Sequence, residues 1–105
     1  MSPVNRGEVW WVEDPATGRR PFMILTRQSA IPVLRNVVAV PATRTVRALP
    51  SEVVLGEDDG MPAKCALSFD NVTVVPKAYF VERICELDPV QLAEVCSAMR
   101  VAYGC

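Results

Sequence analysis

The sequence predicts a mostly β chain with α added at the end: a small, mostly antiparallel β-barrel with one helix packed on it. Short segments rich in β-branched and aromatic residues recur from Gly7 to Ile84, each bounded by Pro, Gly or Asp. One sustained helical period appears, from Asp88 to Tyr103. The chain has 105 residues, 50% hydrophobic and 22% charged, enough for one core and not two, so we read residues 1–105 as a single folded domain.

The first strand is expected over Gly7–Glu13, where Val9 and Trp11 alternate with Glu8 and Trp10; one of the two tryptophans would be core, and either could stack on a base. Asp14 to Arg20 reads as a loop by its Pro15 and Gly18. Pro21–Thr26 is a nearly continuous apolar run, consistent with a strand buried on both faces. Gln28 to Leu34 is interrupted by Pro32 and predicts a turn or a single broken helical turn. The third strand is Asn36–Pro41, followed by a connection from Thr43 to Pro50 that belongs partly to the strand end, and a fourth strand, Ser51–Leu55. Gly56–Pro62 is an acidic turn, in which Glu57, Asp58 and Asp59 are read as solubilising rather than metal-binding. Lys64–Val75 holds one or two strands, or a strand with a short helical turn; Asp70 and Asn71 within it either make a turn or line a groove. Tyr79–Ile84 is the last strand.

The helix has a good start and stop. Asp88 suits the N-cap, Pro89 the first helical position and Gly104 the C-cap. Leu92, Val95, Cys96, Met99, Ala102 and Tyr103 form one apolar stripe, destined for the core or a dimer interface.

Charge is segregated along the chain. From Pro15 to Ser51 there are six arginines (Arg19, Arg20, Arg27, Arg35, Arg44, Arg47) and no acid, a net +6; the other five basic and all twelve acidic residues leave the remainder at −7. Such a window attracts phosphates whatever the total charge of −1. Arginine's planar fork can grip two phosphate oxygens and stabilise charge building on phosphorus, and Thr43 and Thr45 add hydroxyls beside it. A solvated basic face is the competing reading, since nine of the eleven basic residues of the whole chain are Arg.

There is no histidine, which removes Ser-His and Cys-His nucleophiles and any His-ligated metal. The four cysteines (Cys65, Cys85, Cys96, Cys105) are widely spaced without a CxxC, so buried free thiols are expected rather than a zinc or thioredoxin-type site. No apolar run is long enough to span a membrane or to serve as a secretion signal, so a cytoplasmic protein with no membrane partner is expected.

The residues also carry a resemblance. Arg6-Gly7-Glu8-Val9-Trp10, then Asp14-Pro15 and Gly18 leading to Arg20-Pro21, resemble the N-terminal signature of the MazF/PemK/Kid toxin endoribonucleases. Val40-Pro41-Ala42-Thr43, Leu49 to Leu55, Cys65-Ala66-Leu67 running into Asp70-Asn71-Val72, and Leu87-Asp88 opening the striped helix continue it in order over nearly the whole chain. Many members carry Ser-Glu in a longer loop where Gly18 here runs directly through Arg19 to Arg20.

The resemblance implies an SH3-like barrel of the CcdB/MazF type, acting as a homodimer and as the toxin of a type II toxin–antitoxin system. It implies cleavage of single-stranded RNA at short sequences without metal or other cofactor, by attack of the 2′-hydroxyl on the adjacent phosphate, giving 2′,3′-cyclic phosphate and 5′-hydroxyl ends. Arg20 and Thr43 match the family's catalytic arginine and threonine, and Arg19, Arg44, Thr45 and Arg47 would flank them and hold the RNA backbone. The cognate antitoxin would cover this groove with an acidic flexible tail. The alternatives within the same fold are a non-catalytic toxin that binds a protein such as DNA gyrase through Met99 to Cys105, and an inactive binding barrel.

Overall fold

The computed structural model describes residues 3–105. Seven strands precede one helix: β1 (Glu8–Asp14), β2 (Gly18–Ile24), β3 (Asn36–Thr43), β4 (Glu52–Leu55), β5 (Cys65–Ser68), β6 (Thr73–Pro76), β7 (Phe80–Glu86) and α1 (Pro89–Tyr103). Single 3₁₀ turns fill Ile31–Val33, Glu57–Asp59, Phe69–Asn71 and Lys77–Tyr79. Every ladder is antiparallel. The strand order is β4-β5-β3-β2-β1-β7, with β6 also paired to β3, and the sheet curls into a half-barrel whose end strands are β4 and β7.

The sheet buries residues on both faces. Val9, Met23, Leu25 and Val40 belong to the core under the helix, with Leu55, Leu67 and Phe69. Their strand neighbours Trp10, Val12, Ile24, Val37 and Ala39 point the other way, into a second cluster closed by Ile31, Val75 and Phe80. This is the doubly buried strand expected from the Pro21–Thr26 run, and Trp10 is the core tryptophan.

One expectation for the sheet changes. Arg19 and Arg20 lie on β2 and not in a loop: they pair with Glu13 and Val12 of β1. The β1–β2 connection is only Pro15-Ala16-Thr17, with the Ala16 N–H bound to Asp14 Oδ1 at 2.7 Å and Gly18 at φ +89°, so the chain reverses at once. Thr43 is the last residue of β3, in keeping with a connection that begins on the strand end.

The helix buries most of the expected stripe, with Ala98 added and Cys96 and Tyr103 left out. Val95 and Ala98 are its deepest residues, flanked by Leu92, Met99 and Ala102, while Cys96 and Tyr103 face solvent. The helix touches the sheet mainly along β4 and the Phe69–Asn71 turn, a contact narrow enough to cover only the central row of side chains. The four thiols divide as well: Cys65 is buried, Cys85 half-buried, Cys96 and Cys105 exposed, and all are free.

The helix start is a reciprocal capping box. The Gln91 N–H donates to Asp88 Oδ1 at 2.8 Å and the Asp88 N–H to Gln91 Oε1 at 2.9 Å. Gln91 Nε2 also donates to Asp59 Oδ1 at 2.7 Å, and the Gly56 N–H to Asp59 Oδ2 at 2.9 Å, so this acidic turn docks the helix. Among the described residues no helix is long and apolar enough to cross a membrane.

Candidate active site

Two grooves open beside each other where β2 and β3 diverge. The first, about 400 Å³, is walled by Trp11, Arg19, Pro21, Arg44, Thr45 and the Met61–Ala63 segment. The second, about 560 Å³, is walled by Asp14, Thr17, Phe22, Arg47, Ser68, Asn71, Thr73 and Val74. Among the described residues, Arg20 and Thr43 are the two that line both. The register explains why: β2 and β3 last pair at Phe22 and Pro41, and Arg20 and Thr43 stand two residues further along their respective strands.

These two side chains differ in what holds them. Thr43 is half-buried and paired through its backbone to Ala66 of β5. Its Oγ1 accepts the Thr45 N–H at 3.2 Å, which fixes the oxygen and leaves the hydroxyl proton free to donate. Arg20 is exposed and, among the described residues, makes no ion pair, so its five donors remain available to an anion.

The neighbouring Arg19 is engaged by two carboxylates instead. Its Nη1 donates to Glu13 Oε1 at 2.7 Å and its Nη2 to Glu82 Oε1 at 3.0 Å, and its guanidinium carbon lies 4.8 Å from the Trp11 ring centroid. The Glu13 hydrogen bond, with help from Glu82, raises its pKa above the usual arginine value. Arg44 and Thr45 border the first groove and Arg47 the second, where the Arg47 N–H is tied to Glu52 Oε1 at 3.1 Å.

All six residues singled out in the sequence therefore meet at one place, but the basic window as a whole does not. Arg27 lines neither groove, and Arg35 borders a separate surface cavity with Pro32, Val33 and Leu34. Strand pairing also brings Glu13 and Glu82, both outside the window, onto Arg19, so the local field is weaker than a +6 count suggests. Cys65 lies in the first groove as well; burial, then the Asp59 charge, pushes its thiol up, which keeps it protonated and no nucleophile.

Sequence reasoning missed most of the second groove. Asp14, Thr17, Ser68 and Thr73 come from four separate segments and share no motif. The Asp70-Asn71 pair was the available signal, and it does both things considered. Asp70 Oδ2 accepts the Ser51 hydroxyl at 2.5 Å and braces the turn, while Asn71 lines the groove with its Nδ2 donating to Ser68 Oγ at 2.7 Å.

Buried Glu8 anchors the strand that carries Trp11. Its carboxylate accepts from the Asn5 N–H (2.8 Å), Trp10 Nε1 (3.0 Å), Arg83 Nε (3.0 Å) and Asn5 Nδ2 (3.4 Å). Burial alone pushes Glu8 up, but these donors together outweigh it and hold the carboxyl below the usual glutamate range.

Comparison with known proteins places this geometry in a family. Over 101 residues the chain is 43% identical to the protein named "Probable endoribonuclease MazF5" of Mycobacterium tuberculosis, covering 95% of this chain and 93% of that one. It is 38% identical over 103 residues to "Probable endoribonuclease MazF2" of the same species, covering 97% and 100%. Among solved structures, "Mycobacterium tuberculosis toxin MazF-mt6" superposes with a TM-score of 0.85 at 29% identity, over 92% of this chain and 96% of that one. An "Endoribonuclease in complex with its cognate antitoxin from Mycobacterial species" gives 0.85 at 25% identity, over 97% and 96%. The model of the PemK-like, MazF-like toxins of type II toxin–antitoxin systems matches residues 5–103, and the chain belongs to that family.

Proposed function

We propose that the chain is an endoribonuclease, the toxin of a toxin–antitoxin pair, and that Arg20 and Thr43 are its catalytic residues. The observation that carries the reading is their joint position: an unpaired guanidinium and a hydroxyl with a free proton, side by side between two grooves that can each take one arm of an RNA strand. A phosphate seated there has nucleotides leading away on both sides.

The 2′-oxygen attacks phosphorus as its proton passes to water in the open groove, the bond from phosphorus to the 5′-oxygen breaks, and that oxygen takes up a proton from water or from Arg20, which water then reprotonates. The products are a 2′,3′-cyclic phosphate and a 5′-hydroxyl. Arg20 stabilises the charge that builds on the non-bridging oxygens or hands over the proton, and the Thr43 hydroxyl donates to the same phosphate. Arg44, Thr45 and Arg47 hold the flanking backbone, and Arg19 joins them once released from its carboxylates. Unstacked bases in the grooves supply sequence selection.

The remaining expectations complete this reading. Residues 1–105 work as one toxin domain in the cytoplasm, as a homodimer. The cognate antitoxin occupies the grooves with an acidic, flexible tail, which suits the free guanidinium of Arg20 beside Arg44 and Arg47 as well as RNA does.

The test is incubation of the purified protein, in excess EDTA, with long mixed-sequence RNA, tRNA and rRNA, followed by mapping of the cut ends. Discrete cuts bearing 5′-hydroxyls are expected. Arg20→Ala and Thr43→Ala should each lower the rate by about 10²-fold or more, the scale of losing one donor to a charged transition state. Absence of cuts on all three RNAs overturns the reading, and toxicity that survives Arg20→Ala transfers it to a binding mode through the exposed helix end at Val101 and Tyr103.

A further inference from the structure

One aromatic ring in the first groove is already covered. Trp11 lies on the strand face opposite buried Trp10, is half-buried, and lines the groove that Arg20 and Thr43 border. The guanidinium of Arg19 lies over its ring, 4.8 Å from the centroid, held by Glu13 at 2.7 Å and Glu82 at 3.0 Å. The ladders build this: Glu13 is the cross-strand partner of Arg19 on β2, and Glu82 of β7 is the cross-strand partner of Trp11.

The cover is built to come off. The side chains of Arg19, Glu13 and Glu82 are 43%, 56% and 66% exposed, and ion pairs this open to water are weak and screened by salt. A nucleobase stacks on an indole at least as well as an exposed cation does. The two carboxylates beside the ring repel phosphate, so the platform admits a base while the phosphate is drawn to Arg20.

We propose that Trp11 is the stacking platform for one unpaired base next to the cleaved phosphate, and that Arg19 is its removable cover. The proposal rests on the ribonuclease reading and adds the contact that holds one base beside the cut. Binding exchanges the cation on the ring for a base, and the released guanidinium, adjacent in sequence to Arg20, turns to the RNA backbone.

The experiment uses a short single-stranded RNA spanning a mapped cut, made non-cleavable by a 2′-deoxy nucleotide at the cut, with an abasic nucleotide moved through each position. Affinity is read by fluorescence anisotropy. In the intact protein one abasic position should weaken binding about ten-fold, the scale of one base stacked on an aromatic ring. In Trp11→Leu that same position should make no difference, whereas the others keep their effects. Glu13→Gln with Glu82→Gln should tighten binding in the Trp11 protein by more than in Trp11→Leu, where only the lost repulsion of phosphate acts.

Equal abasic penalties in both proteins overturn the platform, and equal tightening in both backgrounds is a general charge effect that overturns the cover. Should Trp11→Leu fail to fold, indole emission of the intact protein decides: the complete RNA should change it and the abasic one should not, and equal changes overturn the platform. No RNA binding by the intact protein overturns the ribonuclease reading itself, an outcome distinct from binding without coupling.

Discussion

Glu8→Gln tests the buried network that fixes the start of β1. The wild-type carboxylate is 5% exposed as a residue and accepts four hydrogen bonds, two on each oxygen. An amide can keep one oxygen but must present an N–H where the other stood, facing either Arg83 and Asn5 Nδ2 or Trp10 and the Asn5 N–H. Two bonds to a charged group are lost at about 1.5 kcal/mol or more each, and the amide N–H is left facing another donor. The expected cost is therefore about 3 kcal/mol, or a fall in Tm of roughly 12–24 °C at about 4–8 °C per kcal/mol for a domain of this size. The pH dependence has a definite sign. Because the folded Glu8 value is depressed, its stabilisation is complete above the ordinary glutamate range and is lost as pH falls through the folded value. Urea unfolding of both proteins, at neutral pH and at steps into the acid range, should show a gap that is widest at neutral pH and narrows on acidification. A gap below about 1 kcal/mol at neutral pH, or one independent of pH, would refute the argument that the ionised form carries the network.

Two further predictions follow from local geometry. Gly60 sits at φ +96°, and a Cβ there would lie 3.0 Å from the Cys85 Cβ, whereas Gly18 at φ +89° has open space around it. Gly60→Ala should then cost more than Gly18→Ala in urea unfolding, where each bears about 1–2 kcal/mol for the left-handed backbone and only the first adds a clash; equal costs would show that the Cys85 contact yields freely. Thiol titration with an aromatic disulfide in native buffer should give two fast and two slow groups, because Cys96 and Cys105 are exposed while burial, then Asp59, pushes the Cys65 and Cys85 thiols up. Four equal rates would mean that the native β5–β7 core opens on the timescale of the reaction.

The order of the elements was readable from the chain because each is set by local chemistry. Alternation, Pro and Gly punctuation and a single helical period mark the strands and α1, and Asp88, Pro89 and Gly104 mark the helix ends. Arg20 and Thr43 could be singled out because they fall within recognisable short motifs. What local pattern misjudged was continuity. Gly18 signals a loop in sequence, but at φ +89° it closes a three-residue hairpin, and this puts Arg19 and Arg20 on a strand.

The pairing of strands distant in sequence decided the rest. It placed Glu82 of β7 beside Trp11 of β1, so that Arg19 is neutralised while Arg20, its neighbour in the chain, stays free. It turned the helix so that Ala98 and not Cys96 is buried, and gathered Asp14, Thr17, Ser68, Asn71 and Thr73 into one groove wall. The sequence by itself determined which residue types and which elements the protein has, since those depend on neighbours a few residues away. Which arginine can meet a phosphate depends on contacts between residues as far apart as Arg19 and Glu82, and only the folded sheet makes them.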